Sequence, residues 1–143
     1  MKTVLVFGSF DHLHKGHEEL FRMAKEYGDR LKVVVARDVT IEQVKGKKPL
    51  YNEEERCVVV AKHPLVDKVV LGNSGDKYEI ILQEKPDVIC LGYDQRVFTV
   101  GLAKELAKRG LRPMIIRLPA FKPELYKSSI LKKQFFENNK VLK

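Results

Sequence analysis

A chain of 143 residues has room for one domain with a proper core, and its 44% hydrophobic and 32% charged residues exclude a disordered or fibrous protein. No apolar run approaches the roughly 20 residues that a membrane-spanning helix needs. The formal net charge of +8 favours polyanionic partners, whether nucleotides, phosphorylated substrates or nucleic acid.

Short runs rich in Val, Ile and Leu alternate with amphipathic stretches along the sequence. Residues 3–7 read as a strand, and Met1-Lys2-Thr3 leads straight into it with no room for a signal peptide, so a cytoplasmic location is expected. A turn, Gly8-Ser9-Phe10-Asp11, leads to His14-Lys15-Gly16-His17 and a helix over 16–27. That helix carries Leu20, Phe21, Ala24 and Tyr27 on one side and has Gly28 as a left-handed stop. A second strand over 31–36 is followed by a basic loop, Lys45-Gly46-Lys47-Lys48-Pro49. Asn52 and Glu55 make an Asn variant of the capping box, opening a helix over 52–63 before Pro64. Further strands are expected over 67–71, 87–91 and 113–118, and further helices over 76–84, 99–109 (closed by Gly110) and 128–138.

Each strand is nearly continuous in apolar residues, as in a parallel sheet buried on both faces. The order predicts one α/β domain over residues 1–143: a doubly wound, five-stranded parallel sheet with helices on both faces. Cys57 and Cys90 fall in a helix and a strand without a CxxC spacing, so two buried thiols are expected rather than a disulfide or a zinc site. Charges of both signs mix along the helices without aromatic–basic interleaving, which argues against a nucleic-acid partner.

In such sheets ligands bind at the carboxyl ends of the strands, where the first turn falls. Gly8 permits a tight turn there, and the helix that follows offers backbone N–H groups and its positive dipole end. His14 and His17 add neutral or cationic donors, and Gly16 lets the backbone come close. The combination suits a polyphosphate.

Other candidates carry two readings each. Ser128 and Ser129, with Lys132 one turn on, form a second phosphate-binding terminus or cap a helix. Of Lys45, Lys47 and Lys48, one (Lys47 is the choice) clamps a phosphate, or all are solvated. Asp94, after the fourth strand, accepts from a ribose or base, or caps its own turn. Phe121 stacks on a ring or pins its loop. Asp11 serves a metal through water or fixes the turn, Arg56 pairs with Asp38 or with phosphate, and His12 reads as a surface histidine.

Gly8-Ser9-Phe10-Asp11-x-Leu13-His14-x-Gly16-His17 resembles the GTFDxLHxGH segment of the cytidylyltransferase-like nucleotidyltransferases, which are Rossmann-like α/β enzymes; Ser9 replaces the usual Thr. Val35-Ala36-Arg37-Asp38, Asn52-Glu53-Glu54-Glu55-Arg56 and Leu91-Gly92-Tyr93-Asp94-Gln95 extend the likeness over almost the whole chain. Lys127-Ser128-Ser129-Ile130-Leu131-Lys132 loosely matches the family's IS[ST]TxIR/K signature, with Lys127 where a Ser is expected. Among the branches, ARDxTxExxKGxKP followed by LGxDQ is most similar to the archaeal FAD synthases, and less so to glycerol-3-phosphate cytidylyltransferase.

The resemblance implies nucleotidyl transfer: a substrate phosphate attacks the α-phosphorus of a nucleoside triphosphate and pyrophosphate leaves. With ATP and FMN the product is FAD. CTP with glycerol 3-phosphate or another small phosphorylated substrate is the alternative, and a non-catalytic nucleotide-binding regulatory domain is the second. His14 and His17 become the catalytic donors, with His17 nearer the α-phosphate. Ser9, Phe10, Lys15, Gly16, Asp94, Phe121, Ser129 and Lys132 complete the nucleotide site. A phosphate monoester, with a second pKa of about 6, needs no general base, so the lack of a Ser-His-Asp set does not count against activity. A divalent ion, Mg²⁺, arrives with the triphosphate and is held by phosphates and water, with no dedicated metal site in the protein. A homodimer is the default expectation.

Overall fold

The computed structural model describes residues 1–92, 95 and 101–119. All five expected strands are present: β1 (Thr3–Gly8), β2 (Arg30–Val35), β3 (Lys68–Leu71), β4 (Val88–Leu91) and β5 (Met114–Arg117). They pair in parallel in the order β3-β2-β1-β4-β5. On one side of β1 the register runs from Thr3 against Arg30 to Gly8 against Val35; on the other, Val4 lies against Val88. The chain lays β2 and β3 outward from β1, then returns to place β4 and β5 on the opposite side. Strand order therefore reverses between β1 and β4, which puts a crevice at their carboxyl ends.

The helices are α1 (Lys15–Lys25), α2 (Asp38–Lys45), α3 (Glu53–Ala61), α4 (Glu79–Glu84) and α5 (Leu102–Lys108). Period-2 alternation along β1 sorts the core into two. Val4 and Val6 join Phe21 and Ala24 of α1 and Val60 of α3, whereas Leu5 joins Ile80 and Ile81 of α4 and Leu102 and Leu106 of α5. Burying each large side chain stabilises by about 1.5–3 kcal/mol before the entropy of ordering it. Helices thus cover both faces, as the α/β reading required. Burial of every strand on both faces holds only at the centre: β4 is buried throughout, but β3 and β5, with one neighbour each among the described residues, are only partly so.

The sequence reading missed α2. Of its apolar residues Val39, Ile41 and Val44, only Ile41 is buried, so no apolar stripe marks it. Arg37 supplies no side-chain cap, and Gly46 ends the helix at φ 78°. Lys45 therefore belongs to a helix, not to the basic loop. At the end of α1, Tyr27 is exposed and Gly28 is not left-handed. Glycine is required at 28 for room: a Cβ there would lie 2.6 Å from Val4 Cγ2 and 2.8 Å from the Lys2 carbonyl oxygen. The capping box of α3 forms as expected, with Asn52 Oδ1 accepting from Glu55 N at 2.8 Å and Glu55 Oε1 from Asn52 N at 2.9 Å. Gly110 takes a positive φ beyond α5. The helix expected over 128–138 lies outside the described residues.

Candidate active site

The turn after β1 differs in mechanism from the sequence reading. The left-handed residue is Phe10, at φ 51°, not Gly8. Its ring folds back and is only 2% exposed. A Cβ on Gly8 would sit 2.7 Å from Phe10 Cζ, so glycine serves to admit the ring. A non-glycine residue held at positive φ stores strain of about 1–3 kcal/mol, tolerated where the surroundings over-determine it. Here the surroundings are Phe21, at a ring separation of 5.6 Å, and His17, edge-on at 5.1 Å. Phe10 therefore supports the imidazole from beneath.

His14 is the N-cap of α1. Its Nδ1 accepts from Gly16 N at 3.0 Å, while His17 Nδ1 accepts from His14 N at 3.2 Å, a capping box made of two histidines. The rings stack at 4.0 Å with 28° between planes. With each Nδ1 accepting, a neutral ring carries its proton on Nε2 and donates from there. The expectation of free helix N–H groups is corrected at Gly16, whose amide is engaged by His14. Burial, with the nearby charges of His14 and His12, pulls His17 down to about 4. Of the neutral and cationic readings, His17 is thus neutral near pH 7. Lys15 and His12 are exposed.

His17's folded value lies below its unfolded value of about 6.5, so the unfolded chain binds the extra proton between them. Its stabilisation is complete above pH 6.5 and is lost as pH falls towards 4, on the order of 2 kcal/mol once partial exposure is allowed for. Urea unfolding at pH 7 and at pH 4.5 should show wild type losing more stability than His17→Gln. Equal losses would contradict the buried, neutral imidazole.

His17 lines a cleft of about 590 Å³ at the carboxyl ends of β1 to β4. Gly8, Ser9 and Phe10 form part of its wall, with Ala36 and Arg37 after β2, Gly72 and Asn73 after β3, and Gly92 and Gln95 after β4. Val34, Ile41, Val44 and Ile80 supply an apolar side, and Lys45 and Lys77 supply charge. Lys47 and Lys48 are exposed and do not line it. A second cleft of about 420 Å³ lies beyond β4, between Leu91, Ile115 and Arg117 and the start of α5. Asp94, Phe121, Ser128, Ser129 and Lys132 lie outside the described residues.

Two open alternatives are resolved. Asp11 fixes a turn: Oδ1 accepts from Tyr51 N at 2.8 Å and Oδ2 from Leu50 N at 2.7 Å. Burial works against its charge, but those amides and the charges of Arg56 and Lys45 hold its carboxyl below the usual value. Arg56 pairs with Asp38 at 2.6 Å and is 1% exposed. Its guanidinium also donates to the carbonyls of Ser9, Ala36 and Tyr51 at 2.7, 2.8 and 2.9 Å. Cys90 is buried, its thiol pushed up to about 11, whereas Cys57 is only partly buried, short of the expectation.

Three residues of the cleft went unassigned in the sequence. Gln95 clasps the point where strand order reverses, its Nε2 donating to Phe7 O at 2.7 Å and its Oε1 accepting from Gly92 N at 2.8 Å. Arg37 donates through Nε to Gly72 O at 2.8 Å, tying the end of β2 to the end of β3. The side-chain oxygen of Asn73 is buried and has no partner among the described residues, an arrangement that costs about 1–3 kcal/mol. The available signal was position: each is a polar residue within four residues of the carboxyl end of a parallel strand.

Residues 5–134 match the family described as cytidylyltransferase-like. The chain is 36% identical over 137 residues to an FAD synthase of Thermoplasma volcanium, covering 96% of each protein. It is 44% identical over 122 residues to an FAD synthase of Methanosarcina mazei, covering 85% of this chain and 80% of the relative. A crystal structure described as a lipopolysaccharide core biosynthesis protein from Thermoplasma volcanium aligns with a TM-score of 0.80 at 37% identity, over 85% of this chain and 99% of the other.

Proposed function

Since the chain belongs to the cytidylyltransferase-like family, we propose that it is an FMN adenylyltransferase, transferring AMP from ATP to FMN to give FAD and pyrophosphate. The observation that carries the choice of substrates is likeness to FAD synthases over 85–96% of the chain.

A phosphate oxygen of FMN attacks the α-phosphorus of ATP, forming one P–O bond as the bond to the β-phosphate oxygen breaks. Both partners are already ionised, so the protein's task is alignment and stabilisation of spreading negative charge. A neutral His17 with Nε2–H at the cleft wall suits this, because a fixed donor needs no proton loss to act. His14 orders the same turn by capping it and stacking on His17. Lys45 brings positive charge to the cleft, and Lys47, exposed outside its lining, is the further candidate for a phosphate clamp. We assign ATP to Ser9, Phe10, Lys15 and Gly16 beside the histidines, and to Asp94, Phe121, Ser129 and Lys132 in the remainder of the chain. Among the described residues no three His, Cys, Asp or Glu side chains converge as a metal cage. Mg²⁺ brought in by the triphosphate and held by phosphate oxygens and water would neutralise charge on the leaving pyrophosphate. No helix among the described residues is long and apolar enough to cross a membrane, and a cytoplasmic site of action fits free ATP and FMN as substrates.

Purified protein with ATP, Mg²⁺ and FMN should release one pyrophosphate per FAD formed, with a fall in flavin fluorescence. Turnover of CTP and glycerol 3-phosphate but not of FMN would establish the cytidylyltransferase alternative instead. Tight nucleotide binding without pyrophosphate release would mark a regulatory domain.

A further inference from the structure

We propose that Asn73 reads the flavin: its amide accepts a hydrogen bond from the imide N–H of the isoalloxazine ring and donates to a carbonyl beside it. This rests on FMN being the acceptor substrate. Asn73 follows β3 at the cleft wall. The segment it stands on is pinned, with Gly72 O accepting from Arg37 and Gly72 N donating to Val35 O at 2.9 Å. On this fixed base the amide oxygen is buried without a partner among the described residues. A rotation of the side chain that meets a ligand N–H forfeits no existing bond of that oxygen and supplies the missing one.

The walls indicate which ligand. Val44 is 60% exposed at the cleft although apolar, so its surface awaits a cover, and Val34, Ile41 and Ile80 continue the same apolar side. The isoalloxazine has a dimethylbenzene edge for such a wall and, at its opposite end, an N–H between two carbonyls. An asparagine amide, with an acceptor and donors side by side, matches that polar end. Adenine also pairs an N–H with an acceptor, but it lacks an apolar edge and is smaller. The apolar side of the larger cleft, with Asn73, therefore goes to the flavin, and the Ser9–Phe10 turn beside His17 is left to the triphosphate.

The test uses the full chain with Asn73→Leu, which keeps the volume and removes the polar atoms. KM for FMN should rise about tenfold, equivalent to 1.4 kcal/mol, with KM for ATP within twofold. Wild type should discriminate by a similar factor against FMN methylated at the imide nitrogen, and Asn73→Leu should lose that discrimination. Thermal stability of the variant should be equal or higher, because an unpaired buried oxygen has gone; a purely structural asparagine would lower it. An unchanged KM for FMN, a shift confined to ATP, or equal use of the methylated flavin by wild type would overturn the assignment. Wild type that makes no FAD at all would remove the proposed function itself, and this role with it, whereas normal FAD synthesis with an indifferent Asn73 removes only this role.

Discussion

His17→Ala is expected to lower kcat for FAD formation by about 100-fold or more while leaving the protein folded. One fixed donor aimed at developing charge contributes about 3 kcal/mol to the barrier. The ring's Nδ1 is taken by His14 N and its Nε2 remains for the ligand, so the substitution removes both a donor and a capping bond. The capping bond contributes only about 1 kcal/mol to stability, and the melting transition should stay cooperative with a small decrease. An interaction made chiefly in the transition state lowers kcat and kcat/KM together, so KM for ATP should change little. His17→Gln, which places an amide N–H near the position of Nε2, should recover part of the rate. Turnover within threefold of wild type in the alanine variant would show that the reaction proceeds without this imidazole.

Arg56→Met is expected to be the most damaging change to stability, on the order of 3–5 kcal/mol in denaturant titrations. One guanidinium joins the turn after β1 through Ser9, the end of β2 through Ala36, the approach to α3 through Tyr51 and the first residue of α2 through Asp38. Removing it leaves three carbonyls and a carboxylate without this donor, around a guanidinium that is itself only 1% exposed. Asp38 is partly exposed and rehydrates in part, so the carbonyls account for much of the cost. Arg56→Lys keeps the charge but cannot span four acceptors with one ammonium, and it should be nearly as unstable. A loss below 1 kcal/mol for the methionine variant would mean that these contacts contribute little in solution. Because the turn after β1, the end of β2 and helix α2 all line the cleft, activity should fall ahead of global unfolding.

The strands were legible because central parallel strands bury both faces and so spell themselves as unbroken Val, Ile and Leu. Val4, Leu5 and Val6 in β1 illustrate this, all buried. The Asn52–Glu55 cap was legible because its partners are three residues apart and need nothing else from the fold. The His14–His17 pair was recognisable at the same range, but its use of Nδ1 for capping was not, since a polyphosphate-binding loop and a histidine capping box share one spacing. Helix α2 escaped because two of its three apolar residues are exposed, one of them at the cleft, so the pattern obeys the site rather than the core.

What the amino-acid sequence determined alone was therefore what acts over a few residues: strand and helix identity, the alternation that makes a parallel sheet, and a histidine pair opening the first helix. What only the tertiary structure decided was what depends on chain segments far apart. It put Lys45 rather than Lys47 in the cleft wall, gave Arg56 to Asp38 and three backbone carbonyls, and set Gln95 across the ends of β1 and β4. It left the buried amide oxygen of Asn73 without a partner among the described residues. The physical reason is that hydrogen bonds and burial at the strand ends join residues up to 88 positions apart, and no local propensity records which of them the sheet order will make neighbours.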